Sequence, residues 1–326
     1  MGNVHASAPP PPLTPIPEPQ PVKEVPSPSE DSKSKPGTLE ELHKKCKDVF
    51  PMPFQGARIV FNRGLSNHFQ INHTASMSSS MPPGQSGYKF GATYVGSQIV
   101  GPGEAYPVLL GDIDPSGNLN ANILCQFHPR LRTRAVVQIQ DSKTAGYQVS
   151  NDYRGKNYTS SVILGNIDPV MKAGMSVFHY LQTVSPTLDL GTELAVQFGP
   201  QTPGGIFTAL SLAGRYSSPD KRHIFSGTLS PQQVHVCYYQ KASENLQYGV
   251  EVETNLRMGE SYAKFGYQLD LPKAEAVFRG SIDSDFGITG VYEKKLAPLP
   301  LTFSLSGHVR QGWNPMYGFG IGLMLG

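Results

Sequence analysis

From Ala57 to the end of the chain, apolar side chains recur at every second position, and this period decides what the chain can fold into. Leu131, Thr133, Ala135, Val137 and Ile139 alternate with Arg132, Arg134, Gln138 and Gln140. Leu246, Tyr248, Val250 and Val252 alternate with Gln247, Glu251 and Glu253, and Ala263, Phe265, Tyr267 and Leu269 with Lys264, Gln268 and Asp270. Successive side chains of a strand point to opposite faces, so each segment has one apolar and one polar face. Turn residues such as Pro115-Ser116-Gly117, Gly155-Lys156-Asn157, Ser217-Ser218-Pro219-Asp220 and Gly312-Trp313-Asn314-Pro315 separate the segments. Strand starts fall near Ala57, Asn67, Tyr88, Pro107, Asn118, Leu131, Ala145, Asn157, Met171, Leu188, Ile206, Arg222, Gln233, Leu246, Ser261, Ala274, Asp285, Pro300 and Met316, about nineteen in all. Spread over residues 57–325, that leaves about 14 residues each, a strand of roughly 10 plus its turn.

A soluble sandwich would hide its apolar face against a second sheet and rarely needs so many uninterrupted strands. A barrel closed in lipid accounts for both features, because lipid tolerates no open sheet edge. The expected fold is therefore an all-β transmembrane β-barrel of about 19 strands over residues 54–326. Charged residues make up 16% of the 326, against roughly 25% in a soluble domain. The mean hydropathy of −0.28 suits a barrel whose alternate residues face a wet lumen. No run of about 18 apolar residues predicts a membrane helix, and Met1–Gln20 lacks the pattern of a secretory signal. A net charge of +2 gives no reason to expect a nucleic-acid surface. Cys46, Cys125 and Cys237 are few, odd in number and far apart, and read as unpaired thiols rather than a disulfide framework or a metal site.

The N-terminal part reads differently. Residues 1–37 are Pro-rich and low in complexity, which predicts a disordered leader. Residues 38–53 read as an amphipathic helix and its lead-in. Thr38 and Glu41 make a capping box, Leu39, Leu42, Cys46 and Val49 mark one face, and Pro51 and Pro53 stop it. Such a helix can lie on a membrane, plug a lumen or bind a partner.

Enzyme and cofactor motifs are lacking: there is no G-x-S-x-G, P-loop or H-E-x-x-H, and Gly318, Gly320 and Gly322 read as close packing in the last strand. The candidate functional surface is instead the polar face. By alternation it carries Asp189, Glu193, Glu251, Glu253, Asp270, Glu275 and Asp283, with the bases Arg132, Arg134, Lys241, Lys264 and Arg279. Val136 and Val277 interrupt that lining. Acids in the later strands make a surface that attracts basic, extended peptide. A metabolite or anion porin is the competing reading, but it calls for an excess of lumenal base.

The stretches 64–74 (GLSNHFQINHT), 104–114 (EAYPVLLGDID), 179–182 (HYLQ), 265–274 (FGYQLDLPKA) and 293–296 (EKKL) closely resemble the animal form of the central channel of the mitochondrial outer-membrane protein translocase. The resemblance runs in order from about Thr38 to Gly326. It implies a nineteen-strand barrel in the mitochondrial outer membrane whose first and last strands pair in parallel, and an N-terminal segment inside the lumen. It also implies passage of unfolded mitochondrial precursor proteins, with acidic lumen residues holding positively charged presequences. The implied partners are a receptor subunit, small single-helix subunits, a second copy of the barrel and membrane lipid. One departure stands out. The barrel-insertion signal ends polar-x-Gly-x-x-hydrophobic-x-hydrophobic, and with Leu323 and Leu325 as the apolar pair the polar place is taken by Gly318.

Overall fold

The structure is a computed structural model that describes residues 36–78, 87–101, 104–141, 143–200, 202, 204–311 and 315–326. The expected disordered leader lies outside these residues apart from Pro36 and Gly37, as does most of the turn at residues 312–314.

Among the described residues nineteen strands follow one another: β1 Gly56–Gly64, β2 Phe69–Met77, β3 Gly87–Gly101, β4 Glu104–Ile113, β5 Leu119–His128, β6 Leu131–Gln140, β7 Lys143–Arg154, β8 Tyr158–Asp168, β9 Ala173–Ser185 and β10 Leu188–Phe198. They continue as β11 Ile206–Ser217, β12 His223–Leu229, β13 Gln233–Lys241, β14 Leu246–Asn255, β15 Glu260–Leu271, β16 Ala276–Asp283, β17 Gly287–Lys295, β18 Leu301–Arg310 and β19 Met316–Leu325. Every start predicted from alternation and turn residues lies within three residues of the observed one. Each strand pairs antiparallel with its sequence neighbour, and β1 pairs with β19 to close the sheet. That last pairing is parallel, running from Gly56↔Gly320 to Phe61↔Leu325. An odd number of alternating strands leaves the first and last pointing the same way, so closure must be parallel. No edge remains to expose unpaired N–H and C=O groups to lipid.

No helix is long and apolar enough to cross a membrane among the described residues. The strands do the crossing, and about ten tilted residues suffice for each. One face of the sheet carries exposed Phe178, Tyr180, Leu194, Leu210, Phe225, Phe265, Ile282 and Ile288. Charged side chains on that face stand at strand ends, as with Arg63 on β1 and Lys294 on β17. This is the lipid side.

The segment before β1 departs from the single helix expected over 38–50. A 3-10 turn, Leu39–Glu41, leads to a short α-helix, α1, Lys44–Lys47. The Thr38 side chain makes no capping hydrogen bond, so the capping box does not form. Local propensity loses here to tertiary seating: a helix this short has little stability of its own, and its apolar residues are held one by one by the wall.

Candidate functional site

The segment packs on the polar face of the sheet. Thr159 on β8 donates to the carbonyl of Pro36 at 3.0 Å. Leu39 and Leu42 bury against Leu181 on β9 and Ala213 on β11. Cys46, Val49 and Phe50 bury against Ile224 on β12 and Cys237 and Tyr239 on β13. The Phe54 N–H donates to Ser306 Oγ on β18 at 3.0 Å. A short stretch that touches β8 through β18 on one face spans more than half of a closed ring, and it can do so only from inside. The polar face is therefore the lumen.

Glycines make the seat. A Cβ at Gly191, Gly249, Gly266 or Gly320 would collide with or press on Leu39, Cys46, Phe50 or Phe54. Gly318 would meet the Gln55 side chain in the same way. At the place where the insertion signal has a polar residue, a side chain would therefore have to displace the Gln55 side chain.

Register then assigns the predicted residues. Asp189 and Glu193 on β10 and Glu251 and Glu253 on β14 face the lumen, as do Asp270 on β15 and Asp283 on β16. So do Arg132 and Arg134 on β6, Lys241 on β13, Lys264 on β15 and Arg279 on β16. Val136 lies opposite Asn122 and Val277 opposite Asp270, so both valines are lumenal. Glu275 is misplaced in the sequence reading. It ends the turn Pro272–Ala274 between β15 and β16 with φ +49°, so it sits at the rim and not on the wall. The two-residue period stops where the strand does, and Pro272 marks that stop.

Most of the lumenal acids already have partners. Arg215 donates to Asp189 Oδ2 at 2.6 and 2.9 Å, and Thr183 donates to its other oxygen at 2.7 Å. His179 lies 3.0 Å from Glu193 and Arg279 lies 3.2 Å from Glu293. Glu251 lies 2.7 Å from His235 and 3.8 Å from Lys47 of α1. Glu253, two residues along, keeps 40% of its side chain exposed against 13% for Glu251. It lines an open cavity of about 720 Å³ at the rim of the barrel, with the strand-end and turn residues Gln233, Asn255, Glu260, Ser261, Tyr262 and Asp285. Bases Arg58, Lys89, Arg154 and Arg215 also face inward, so lumenal charge is nearer balance than the predicted set implied.

His43 on the segment was not singled out from sequence. Its ring nitrogens lie 2.8 Å from Ser226 Oγ and 2.9 Å from Thr228 Oγ1. Burial pushes its imidazole down to about 4, with His235 and Lys47 adding to the shift, so it is neutral at pH 7. Arg215 was also missed. Its signal was present: Ala209, Ser211 and Ala213 are its lumenal neighbours on β11, and their small size had masked the alternation.

The eukaryotic porin family profile matches residues 35–320. A fruit-fly relative, Drosophila melanogaster mitochondrial import receptor subunit TOM40 homolog 2, is 52% identical over 89% of this chain and 84% of its own. The Homo sapiens TOM40 homolog is 45% identical over 89% of this chain and 78% of its own. This chain belongs to the TOM40 family of eukaryotic porins. The Xenopus tropicalis member is 43% identical over the full length of both chains. As a member of that family, the chain is a β-barrel of the mitochondrial outer membrane.

Proposed function

We propose that basic, extended segments of mitochondrial precursor proteins cross the outer membrane through this lumen, and that the acids of its later strands hold them on the way. The protein serves as a protein-conducting channel of the import machinery; its relatives are named as mitochondrial import receptor subunits. The observation that carries the reading is a closed wall, apolar outside, whose inner face sets acids beside a wet cavity. Glu253 is the centre of the track, because it is the more exposed of the two β14 glutamates and opens onto that cavity. Asp283, Asp270 and Glu260 extend it across β15 and β16. Glu251 is largely engaged by His235 and Lys47 and serves the wall first.

Presequences are rich in Arg and poor in acids. Each contact in a wet lumen contributes about 0–1 kcal/mol and is screened by salt. Weak, repeated contacts suit a conduit, since a tightly held chain could not leave. An anion pore would need lumenal base in excess, and Asp189, Glu193, Glu253, Asp270 and Asp283 work against that. The outer apolar face is the surface for lipid, for single-helix subunits, for the receptor subunit and for a second barrel.

The test is charge reversal at Glu253. Glu253→Lys should slow import of presequence-bearing precursors into mitochondria and reduce the cation preference of the reconstituted channel, with assembly unchanged. Normal import kinetics at both low and physiological salt in an assembled Glu253→Lys protein would refute the acidic track.

A further inference from the structure

Five side chains of metal-ligand type converge where the N-terminal segment meets the lumen wall. His235 and Cys237 are two apart on β13, so both project inward. Glu251 lies opposite Cys237 in register and Glu253 opposite His235. His235 Nε2 is 3.2 Å from Cys237 Sγ, 2.7 Å from Glu251 Oε1 and 3.5 Å from Glu253 Oε1. Cys237 Sγ is 4.0 Å from Glu251 Oε1. From the segment side, the His43 ring centre stands 4.3 Å from that of His235. Donor atoms of His43, His235 and Cys237 all lie within 4.8 Å of one another.

We propose that His43, His235, Cys237 and Glu251 form a structural zinc site that fastens the N-terminal segment to the wall. Zinc bonds of about 2.0–2.3 Å in a tetrahedron put ligand atoms roughly 3.3–3.8 Å apart. The observed wall separations of 2.7, 3.2 and 4.0 Å bracket that edge, so sub-ångström shifts complete the wall half. Two imidazoles, a thiolate and a carboxylate are donors that Zn²⁺ favours over Ca²⁺ or Mg²⁺. One thiolate and one carboxylate neutralise the dication, which suits a half-buried position. Ser226 or Thr228 would keep the second ring nitrogen of His43 and orient the ring, as outer partners of zinc histidines do. Cys46 lies beside Cys237 in the same buried cluster, but its thiol is directed at the carbonyls of Tyr238 and Val250 at 3.5 and 3.4 Å, which leaves it outside the proposed set. The sequence alone reads Cys237 as an unpaired thiol outside any metal site; the proposed ligands come from positions far apart in the chain that the closed barrel brings together.

The experiment uses the full chain, refolded in detergent with a phosphine reductant and titrated with Co²⁺ and then Zn²⁺. A stoichiometric tetrahedral cobalt spectrum with a thiolate-to-metal charge-transfer band is expected, and zinc should abolish it. Cys237→Ser should remove the band, while Cys46→Ser and Cys125→Ser should keep it. His43→Ala should weaken zinc binding at least about tenfold. That residue lies outside the wall, so circular dichroism should report an intact barrel. Absence of stoichiometric metal would overturn the site. So would a band that survives Cys237→Ser or depends on Cys46, or unchanged affinity in a folded His43→Ala protein.

Discussion

Replacing Phe50 by alanine should release the N-terminal segment from the lumen wall while leaving the barrel intact. The Phe50 side chain is 7% exposed. Its ring lies over Gly266, where a Cβ would collide with it, and the Lys264 ammonium stands 4.8 Å from its centroid. Truncating a buried phenylalanine costs about 3–5 kcal/mol, and a cation–π contact of this kind adds about 0.5–1 kcal/mol. The loss falls on docking and not on the wall, because β14 and β15 keep their full ladder without the ring. Three kcal/mol is about a 150-fold shift in the docking equilibrium. Hydrogen exchange of residues 42–50, read by mass spectrometry on the folded protein in detergent, measures it directly. Exchange there should accelerate by about two orders of magnitude while β13 to β15 keep their protection. Unchanged protection at 42–50 would refute the seating argument. Equal loss in β13 to β15 would refute the separation of segment from wall.

Two further outcomes test the barrel itself. Phe265→Arg on the lipid face should destabilise by about 2–4 kcal/mol if the residue sits near the bilayer midplane, whereas Gln268→Arg on the lumen face should be tolerated; denaturant titration in lipid compares them, and equal costs would reverse the face assignment. Cysteine pairs at Arg58 with Gly322 and at Val60 with Met324 should both crosslink within one chain, since the register advances in the same direction on β1 and β19; crosslinks that advance in opposite directions would mean antiparallel closure.

The wall was legible in the sequence because a two-residue period is a local property, and Leu246–Glu253 or Ala263–Asp270 shows it without any knowledge of neighbours. Its failures have local causes as well. Glu275 was placed on a strand because nothing in the period itself marks the residue where a strand gives way to its turn. The segment before β1 was read as one helix because Leu39, Leu42, Cys46 and Val49 do fall at helical spacing. What shapes it is the wall, where Leu181, Ala213, Ile224 and Tyr239 take those side chains individually. The His43, His235, Cys237 and Glu251 cluster left no sequence signal. Its members are separated by up to 208 positions, and only closure of the ring brings the segment to β13 and β14.

The central claim is that a precursor passes through the lumen along the β13 to β15 wall, and neighbouring residues of β14 test it most directly. Glu251 and Glu253 face inward while Val250 and Val252 face lipid. A photoreactive residue placed at each position in turn, with a precursor arrested in transit in mitochondria, should crosslink the precursor at 251 and 253 and not at 250 or 252. Crosslinks at the lipid-facing positions, or none at 251 and 253 in the assembled channel, would contradict it.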